Sequence, residues 1–356
     1  MTDSEPRVRR AGPGRGPHGA PTAIALSPIL SARYRSRDLE RIRAAAPGVR
    51  IVMVSVEGLA DGPLDDVEVM LRGWLSLEAF DRLLARAPRL TWVHSATSGV
   101  ERALTPAARE RDLVVTNARG VFSRPIAEYV LMMILAVSRR LPQLLELQRE
   151  RTWQPLEGAE LRDVTVGIVG LGSIGRAVAA LASSFGCRVV AVRRHAERES
   201  AARAVDDEAP AVAELRLDRV GGPETLPELL AESDFIVLAA PLTAETEDMI
   251  NADSLAKVKP GAWLINVARG RLIDERALLR ALSDGDLGGA VLDTFRDEPL
   301  PSMSSFYDLP NVIVTPHTAW SSGRVLDRSV ELFCDNLRRF ARGEPLLNVV
   351  DPDAGY

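Results

Sequence analysis

The chain has 356 residues, of which 46% are hydrophobic and 26% charged, and a net charge of −5. That length exceeds one ordinary core and implies two domains, with a composition typical of soluble globular proteins. The acidic balance excludes a general nucleic-acid binder, which needs a basic face to neutralise phosphates, and no apolar run reaches the roughly 20 residues of a membrane span.

Residues 1–21 are rich in Gly, Pro and Arg and lack the apolar core of a signal peptide, so they read as a disordered tail. From Thr22 onward, strand-like and helix-like segments alternate. TAIALSPIL reads as a strand, and SRDLERIRAAAPG as a helix that starts near Ser36 and stops at Pro47-Gly48. RIVMVSV, VEVMLRG, LTWVHSA and LVVTNAR are further short apolar runs, with the helix LSLEAFDRLLARAP among them. In SRPIAEYVLMMILAVSRRLPQLLELQRERTW, Ser123 is placed to cap a helix with Pro125 in its first turn. The apolar middle of that stretch, interrupted by Glu128, is a buried helix.

A second series begins at Leu161. VTVGIVG, RVVAVRR, FIVLAAP, AWLINVA, GAVLDTF and VIVTPHT are short strands separated by helical stretches. The last helix, apolar at Val325, Leu326, Val330, Phe333 and Leu337, is expected to return to the first domain, because the second series already completes a sheet. The reading is therefore α/β, with two doubly wound parallel-sheet domains and a cleft between them for chemistry. The boundaries are a tail over 1–21, a first domain of 22–122 plus 320–356, and a second domain of 123–319. The charged, alanine-rich stretch over 196–222 is assigned no chemistry. The two cysteines, Cys187 and Cys334, form no disulfide framework and read as packed small hydrophobes of a cytosolic protein.

Gly170, Gly172 and Gly175 form G-x-G-x-x-G. The pattern is weak alone, but here it follows the strand VTVGIVG and opens the helix SIGRAVAALASSFG. The first glycine permits a tight turn, the second lets backbone approach a pyrophosphate, and the third lets helix pack on strand. The acid that holds the adenosine ribose of NAD is expected about 20 residues on. Arg193 stands there, followed by Arg194. A planar guanidinium matches the extra phosphate of NADP with paired hydrogen bonds, so the pair points to NADP, with NAD possible. The competing reading is that both arginines face water.

Three further motifs fall at strand ends of the second series, where doubly wound sheets bind ligands. NVARGRLIDE carries Arg269, LDTFRDEPLP carries Glu298, and VIVTPHTAW carries His317. This set suits hydride transfer to a 2-oxo acid. Arg269 holds the substrate carboxylate, His317 donates a proton to the oxygen that gains charge, and Glu298 favours the imidazolium. Singly, each residue has an ordinary reading as an ion pair, a loop acid or a packed ring. Of the remaining histidines, His18 lies in the tail, His195 beside the arginine pair, and His94 after a strand, where it is either packed or functional. In WVHSATSGVERAL, Ser98 and Gly99 end a strand in a turn suited either to an anion nest or to a helix cap.

With SATSGVE, VTNARGVFSRPIAEYVL, GIVGLGSIGR, APLTAET, INVARGRLIDE, LDTFRDEPLP and LPNVIVTPHTA in this order, the chain resembles the D-isomer-specific 2-hydroxyacid dehydrogenases from about Leu26 to its C-terminus. The resemblance implies a flavodoxin-like substrate-binding domain built from both chain ends and a Rossmann dinucleotide-binding domain. It also implies an Arg–Glu–His set at Arg269, Glu298 and His317, with Ser98 and Gly99 helping to hold the substrate carboxylate. Ser173 and Ile174 would contact the pyrophosphate, Pro241 and Val267 would line the cofactor, and Asp293 would bond the nicotinamide amide. A homodimer through the cofactor domains is implied, involving the helix and arm from Ile126 to Trp153.

The sequence departs from the family at three places, one of them Gly323-Arg324, where an acid is common after the histidine and which bears on local helix capping rather than on the chemistry. Arg193 replaces the acid of NAD-using members, as in NADP-preferring glyoxylate and hydroxypyruvate reductases. Trp320 stands where a glycine is frequent, and either narrows the pocket or packs between domains. The expectation is a cytoplasmic, NADPH-dependent reductase of a small 2-oxo acid to the D-2-hydroxy acid, with no metal. The alternatives are an NAD-dependent relative such as 3-phosphoglycerate dehydrogenase, or a catalytically idle cofactor-sensing regulator.

Overall fold

The computed structural model of the chain describes residues 19–29, 34–194 and 215–352. Almost all of the expected tail, His18, His195 and most of the charged, alanine-rich stretch lie outside these residues. The described residues form two compact units, one of 19–119 with 326–352 and the other of 120–194 with 215–325.

In the first unit, strands β1 (Ala23–Leu26), β2 (Arg50–Met53), β3 (Val67–Arg72), β4 (Trp92–Ser95) and β5 (Val114–Asn117) pair in the order β2-β1-β3-β4-β5. Every pairing is parallel. β1, β3 and β4 are buried throughout, as expected of a parallel sheet covered on both faces. Side chains alternate between those faces. Ala23, Ala25 and Met70 pack toward Phe80, Leu83 and Leu84 of helix α2 (Leu77–Arg86). Ile24, Leu26 and Trp92 pack toward Ile42 of α1 (Ser36–Ala45) and toward Val330, Phe333 and Leu337 of the C-terminal helix Val325–Arg342. The C-terminal helix is thereby part of the first unit's core, with Trp92 stacked on Phe340 at 5.4 Å between ring centres. A short helix, α3 (Pro106–Glu110), precedes β5.

In the second unit, α4 (Ser123–Ser138) and α5 (Leu141–Arg149) precede a seven-stranded sheet. Its strands are β6 (Thr165–Val169), β7 (Arg188–Val192), β8 (Arg219–Gly221), β9 (Phe235–Leu238), β10 (Trp263–Asn266), β11 (Gly289–Leu292) and β12 (Val312–Val314), ordered β12-β11-β10-β9-β6-β7-β8 and parallel throughout. Helices α6 (Ser173–Ser184), α7 (Leu226–Glu232), α8 (Ala252–Leu255) and α9 (Glu275–Asp284) connect them. The chain therefore folds as two parallel α/β sheets, the second in the doubly wound order of dinucleotide-binding folds.

One local expectation changes. Ser123 is not a cap: the helix begins after Phe122, Ser123 is its first residue, and its buried hydroxyl meets no hydrogen-bonding partner. Pro125 still sits in the first turn, where no N–H is required. The apolar stretch 126–137 lies whole within α4, as expected, and α5 begins separately after Arg140, which takes a left-handed φ of +55° ahead of Pro142.

His94 is packed rather than displayed. It is 0% exposed, lies edge-on to Trp92, and shares Thr116 Oγ1 with it through Nδ1 at 2.8 Å. Burial pushes the imidazole down to about 3. The folded state thus holds His94 neutral while the unfolded chain protonates it near its ordinary value of 6.5. Stability from this residue is intact above that value and is lost as pH falls from there toward about 3, by at most about 1.4 kcal/mol per pH unit. Thermal unfolding followed from pH 7 to pH 4 should show this decline, and His94→Gln should flatten it.

Candidate active site

The glycine loop is a set of steric demands. Gly170 follows β6 at φ +102°, and a Cβ on it would lie 2.6 Å from the Ala240 nitrogen and 2.7 Å from the Ala239 carbonyl. A Cβ on Gly175 would lie 2.0 Å from the Gly170 oxygen, so helix α6 can seat against the loop only with glycine there. Gly172 differs: its Cβ would meet nothing within 4 Å. Gly172 is the cap residue of α6, with no side-chain cap bond and no acid in the first turn, where Ser173 and Ile174 stand. An exposed helix start that lacks any side chain over its N–H groups suits a phosphate electrostatically and sterically. The residues present therefore fit a dinucleotide. Gly170 also lies where β6 and β9 diverge to opposite halves of the sheet, the position at which such sheets bind ligands.

At the end of β7, the Arg193 backbone N–H donates to Gly221 at 3.0 Å and its side chain is half-buried. Arg194 is exposed and pairs with Glu245 at 2.8 Å. The Thr243 hydroxyl and then the Arg194 charge hold the Glu245 carboxyl below its usual range. An ion pair this open to water is weak. Glu245 had no signal in the sequence as a neighbour of Arg194. Pro241 opens the same turn, its carbonyl accepting the Thr246 hydroxyl at 2.7 Å, and Val267 is buried just after β10.

The ends of β10, β11 and β12 bring Arg269, Glu298 and His317 together. Buried Asn266 shapes the first loop, donating to the Arg269 carbonyl at 2.9 Å and accepting from the Ala268 N–H at 3.0 Å. Gly270 then passes so close to the second loop that a Cβ would lie 1.9 Å from the Phe295 carbonyl carbon. This contact places the Arg269 charge beside Glu298. Burial alone would raise the Glu298 carboxyl. The His317 hydrogen bond, the Phe295 N–H, the His317 charge and the Arg269 charge together bring it below the ordinary range. Its Oε1 accepts from Phe295 N–H at 3.0 Å and its Oε2 meets His317 Nδ1 at 2.8 Å.

His317 has a φ of +48°, a left-handed conformation that costs a side-chain-bearing residue about 1–2 kcal/mol. Its ring is 43% exposed. Behind it, Asp293 is 1% exposed and accepts three hydrogen bonds, from the Thr315 hydroxyl at 2.6 Å, Thr318 N–H at 2.8 Å and Ala319 N–H at 2.9 Å. Trp320 turns its indole N–H onto the His317 carbonyl at 2.7 Å, so its polar end serves the turn. Tyr129 of α4 reaches Thr315 Oγ1 at 2.6 Å. Sequence reading missed Tyr129 and Thr315, which lie 186 residues apart in the chain.

Ser98 and Gly99 lie in the first unit, in the turn after β4. The Ser98 carbonyl accepts from Asn117 Nδ2 at 2.9 Å and the Gly99 carbonyl from the Thr97 hydroxyl at 2.7 Å. Among the described residues no cluster of His, Cys, Asp and Glu could hold a metal ion, and no helix is long and apolar enough to cross a membrane.

The family model "D-isomer specific 2-hydroxyacid dehydrogenase, NAD binding domain" matches residues 131–319. A glyoxylate reductase of Korarchaeum cryptofilum is 34% identical over 276 residues, covering 75% of this chain and 78% of that protein. A D-3-phosphoglycerate dehydrogenase of Mycobacterium bovis is 36% identical over 275 residues, which are 77% of this chain and only 49% of the relative's length. Among solved structures, a D-isomer specific 2-hydroxyacid dehydrogenase of Xanthobacter autotrophicus Py2, in complex with NADPH and MES, superposes with a TM-score of 0.79 at 31% identity, covering 95% of this chain and 100% of that one.

Proposed function

Because the chain belongs to the D-isomer-specific 2-hydroxyacid dehydrogenases, oxidoreductases acting on a CH–OH group, we propose that it is an NADPH-dependent reductase of a small 2-oxo acid, with glyoxylate or hydroxypyruvate favoured. The observation that carries the reading is the 2.8 Å contact between His317 Nδ1 and Glu298 Oε2 next to Arg269. Gly170, Gly172, Ser173, Ile174 and Gly175 would hold the pyrophosphate, Arg193 and Arg194 the 2′-phosphate, and Pro241, Val267 and Asp293 the nicotinamide end. The bound nicotinamide supplies the hydride.

The chain's own groups do the rest. Glu298 occupies Nδ1 of His317, which leaves Nε2 as the atom that delivers a proton to the substrate oxygen. The Glu298 carboxylate holds the ring through that contact. Arg269 offers a planar, two-pronged donor to the substrate carboxylate and sets the carbonyl in register. The first unit is proposed as the substrate-binding domain, with Ser98 and Gly99 among the carboxylate contacts, and the second as the cofactor domain. Cytoplasmic residence is part of the same proposal. The Mycobacterium bovis relative keeps an NAD-dependent, 3-phosphoglycerate-type reading as the alternative.

His317→Ala should lose about 100-fold or more in kcat, the contribution usual for a positioned acid, while still quenching NADPH fluorescence on binding. Unchanged turnover would remove His317 from the chemistry. Arg193→Asp with Arg194→Ala should shift preference from NADPH toward NADH in initial rates on glyoxylate and hydroxypyruvate; an unmoved preference would mean that the pair does not read the 2′-phosphate.

A homodimer through the cofactor domains is proposed as well. Met132 on α4, Leu141, Leu144 and Leu145 on α5, and Trp153 beyond it are large apolar side chains left exposed. An apolar group of this kind commonly marks a partner surface. Sedimentation velocity should find a dimer, and Leu144→Asp with Leu145→Asp should give a monomer. A wild-type monomer at micromolar concentration would refute the assignment.

A further inference from the structure

The turn that carries His317 is held from both sides. Asp293 accepts N–H groups from Thr318 and Ala319, after the histidine, and the hydroxyl of Thr315, before it. A left-handed non-glycine residue persists only where its surroundings impose it, and here one buried carboxylate does so. Thr315 spends its proton on Asp293, so the 2.6 Å contact with Tyr129 has Tyr129 as the donor. Burial, and beyond it the Asp293 charge, push the Tyr129 hydroxyl up to about 12 against the Thr315 bond, so its proton stays in place. Tyr129 sits on α4, which packs on α6, the helix that opens with the glycine loop. The hydroxyl chain thus links the element behind the phosphate site to the turn that presents the imidazole.

We propose that the chain Tyr129–Thr315–Asp293 positions His317 for proton transfer, which makes Thr315 and Tyr129 positioning residues of the reaction. The inference rests on His317 being the proton donor proposed above. It predicts a kinetic signature different from simple loss of packing. Without the Thr315 hydroxyl, Asp293 keeps its two backbone donors and the loop stays folded. On the strand side of His317 the turn then keeps only backbone bonds, Thr315 N–H to Leu292 and His317 N–H to Thr315, and loses the side-chain tie to Asp293, so the imidazole wanders. Misplacement of a catalytic group by about 1 Å costs on the order of 100-fold in rate.

The test uses the full chain with NADPH and the 2-oxo acid it turns over best. Thr315→Val should lower kcat by about 10- to 100-fold with the KM for NADPH little changed. Thr315→Ser should restore most of that loss, and Tyr129→Phe should show a smaller fall in kcat. The double variant should be no worse than Thr315→Val, because both residues act through one chain of bonds. A second readout does not depend on activity: the ring resonance of His317, assigned with His317→Asn in a chain of four histidines, should move or broaden in Thr315→Val. Wild-type kcat in both single variants would overturn the proposal. So would a Thr315→Val variant that loses kcat, KM and melting temperature together with no rescue by serine. If His317→Asn itself keeps full turnover, the proton-donor reading fails; an unmoved His317 resonance in Thr315→Val would separately show that Thr315 does not hold the ring.

Discussion

One buried negative charge shapes the chemical end of the second unit. Asp293 sits 1% exposed at the end of β11, where an unsatisfied carboxylate would be prohibitively costly. The chain meets that demand by wrapping residues 315–319 around it, with donors at Thr315, Thr318 and Ala319. His317 lies between those donors, just after Pro316. It is forced into a left-handed conformation, with its ring turned out to 43% exposure. Glu298 belongs to the same loop as Asp293, so the position of the imidazole and the position of its carboxylate partner are set from one strand end. The buried acid builds the turn, and the half-exposed acid engages the ring.

What the sequence could reveal follows from which constraints are local. Gly170 and Gly175 announce themselves because no other residue fits the distances to Ala239, Ala240 and Gly170 itself. Arg269, Glu298 and His317 stand out because each closes an apolar strand in a parallel series. Tyr129 could not be found in this way. Its partner Thr315 is 186 residues distant, and an amphipathic tyrosine in an apolar helix looks like packing until the fold places a hydroxyl opposite it. The cap expected of Ser123 failed for a related reason: side-chain capping is decided by the backbone angles of the preceding residue, and Phe122 already takes a helical conformation. Arg140 separates α5 from α4 with a left-handed φ before Pro142, a conformation that its residue type does not advertise. Trp320 was legible as a departure but not as a donor to the His317 carbonyl.

Charge at the nucleotide end is arranged by omission as much as by placement. No acid stands in the first turn of α6, and Gly172 leaves open space over it. At the end of β7, where an acid would repel a 2′-phosphate, the chain has Arg193 and Arg194, and Arg194 pairs with the exposed Glu245. An ion pair this open to water is weak.

Strand order then explains why the two sets of residues occupy different strands of one edge. In the order β12-β11-β10-β9-β6-β7-β8 the sheet reverses direction of growth between β6 and β9, and Gly170 presses against the backbone of Ala239 and Ala240 at that junction. On one side of it, β6 and β7 end in the glycine loop and the arginine pair. On the other, β10, β11 and β12 end in Arg269, the Asp293–Glu298 loop and His317. Because all strands are parallel, both sets emerge at the same carboxyl edge, as ligand sites in such sheets do. A dinucleotide laid across the junction would place its adenosine end toward the first set and its nicotinamide end toward the second. The tie from α4 to the His317 turn through Tyr129 spans that division, so the helix that packs on α6 is bonded to that turn as well.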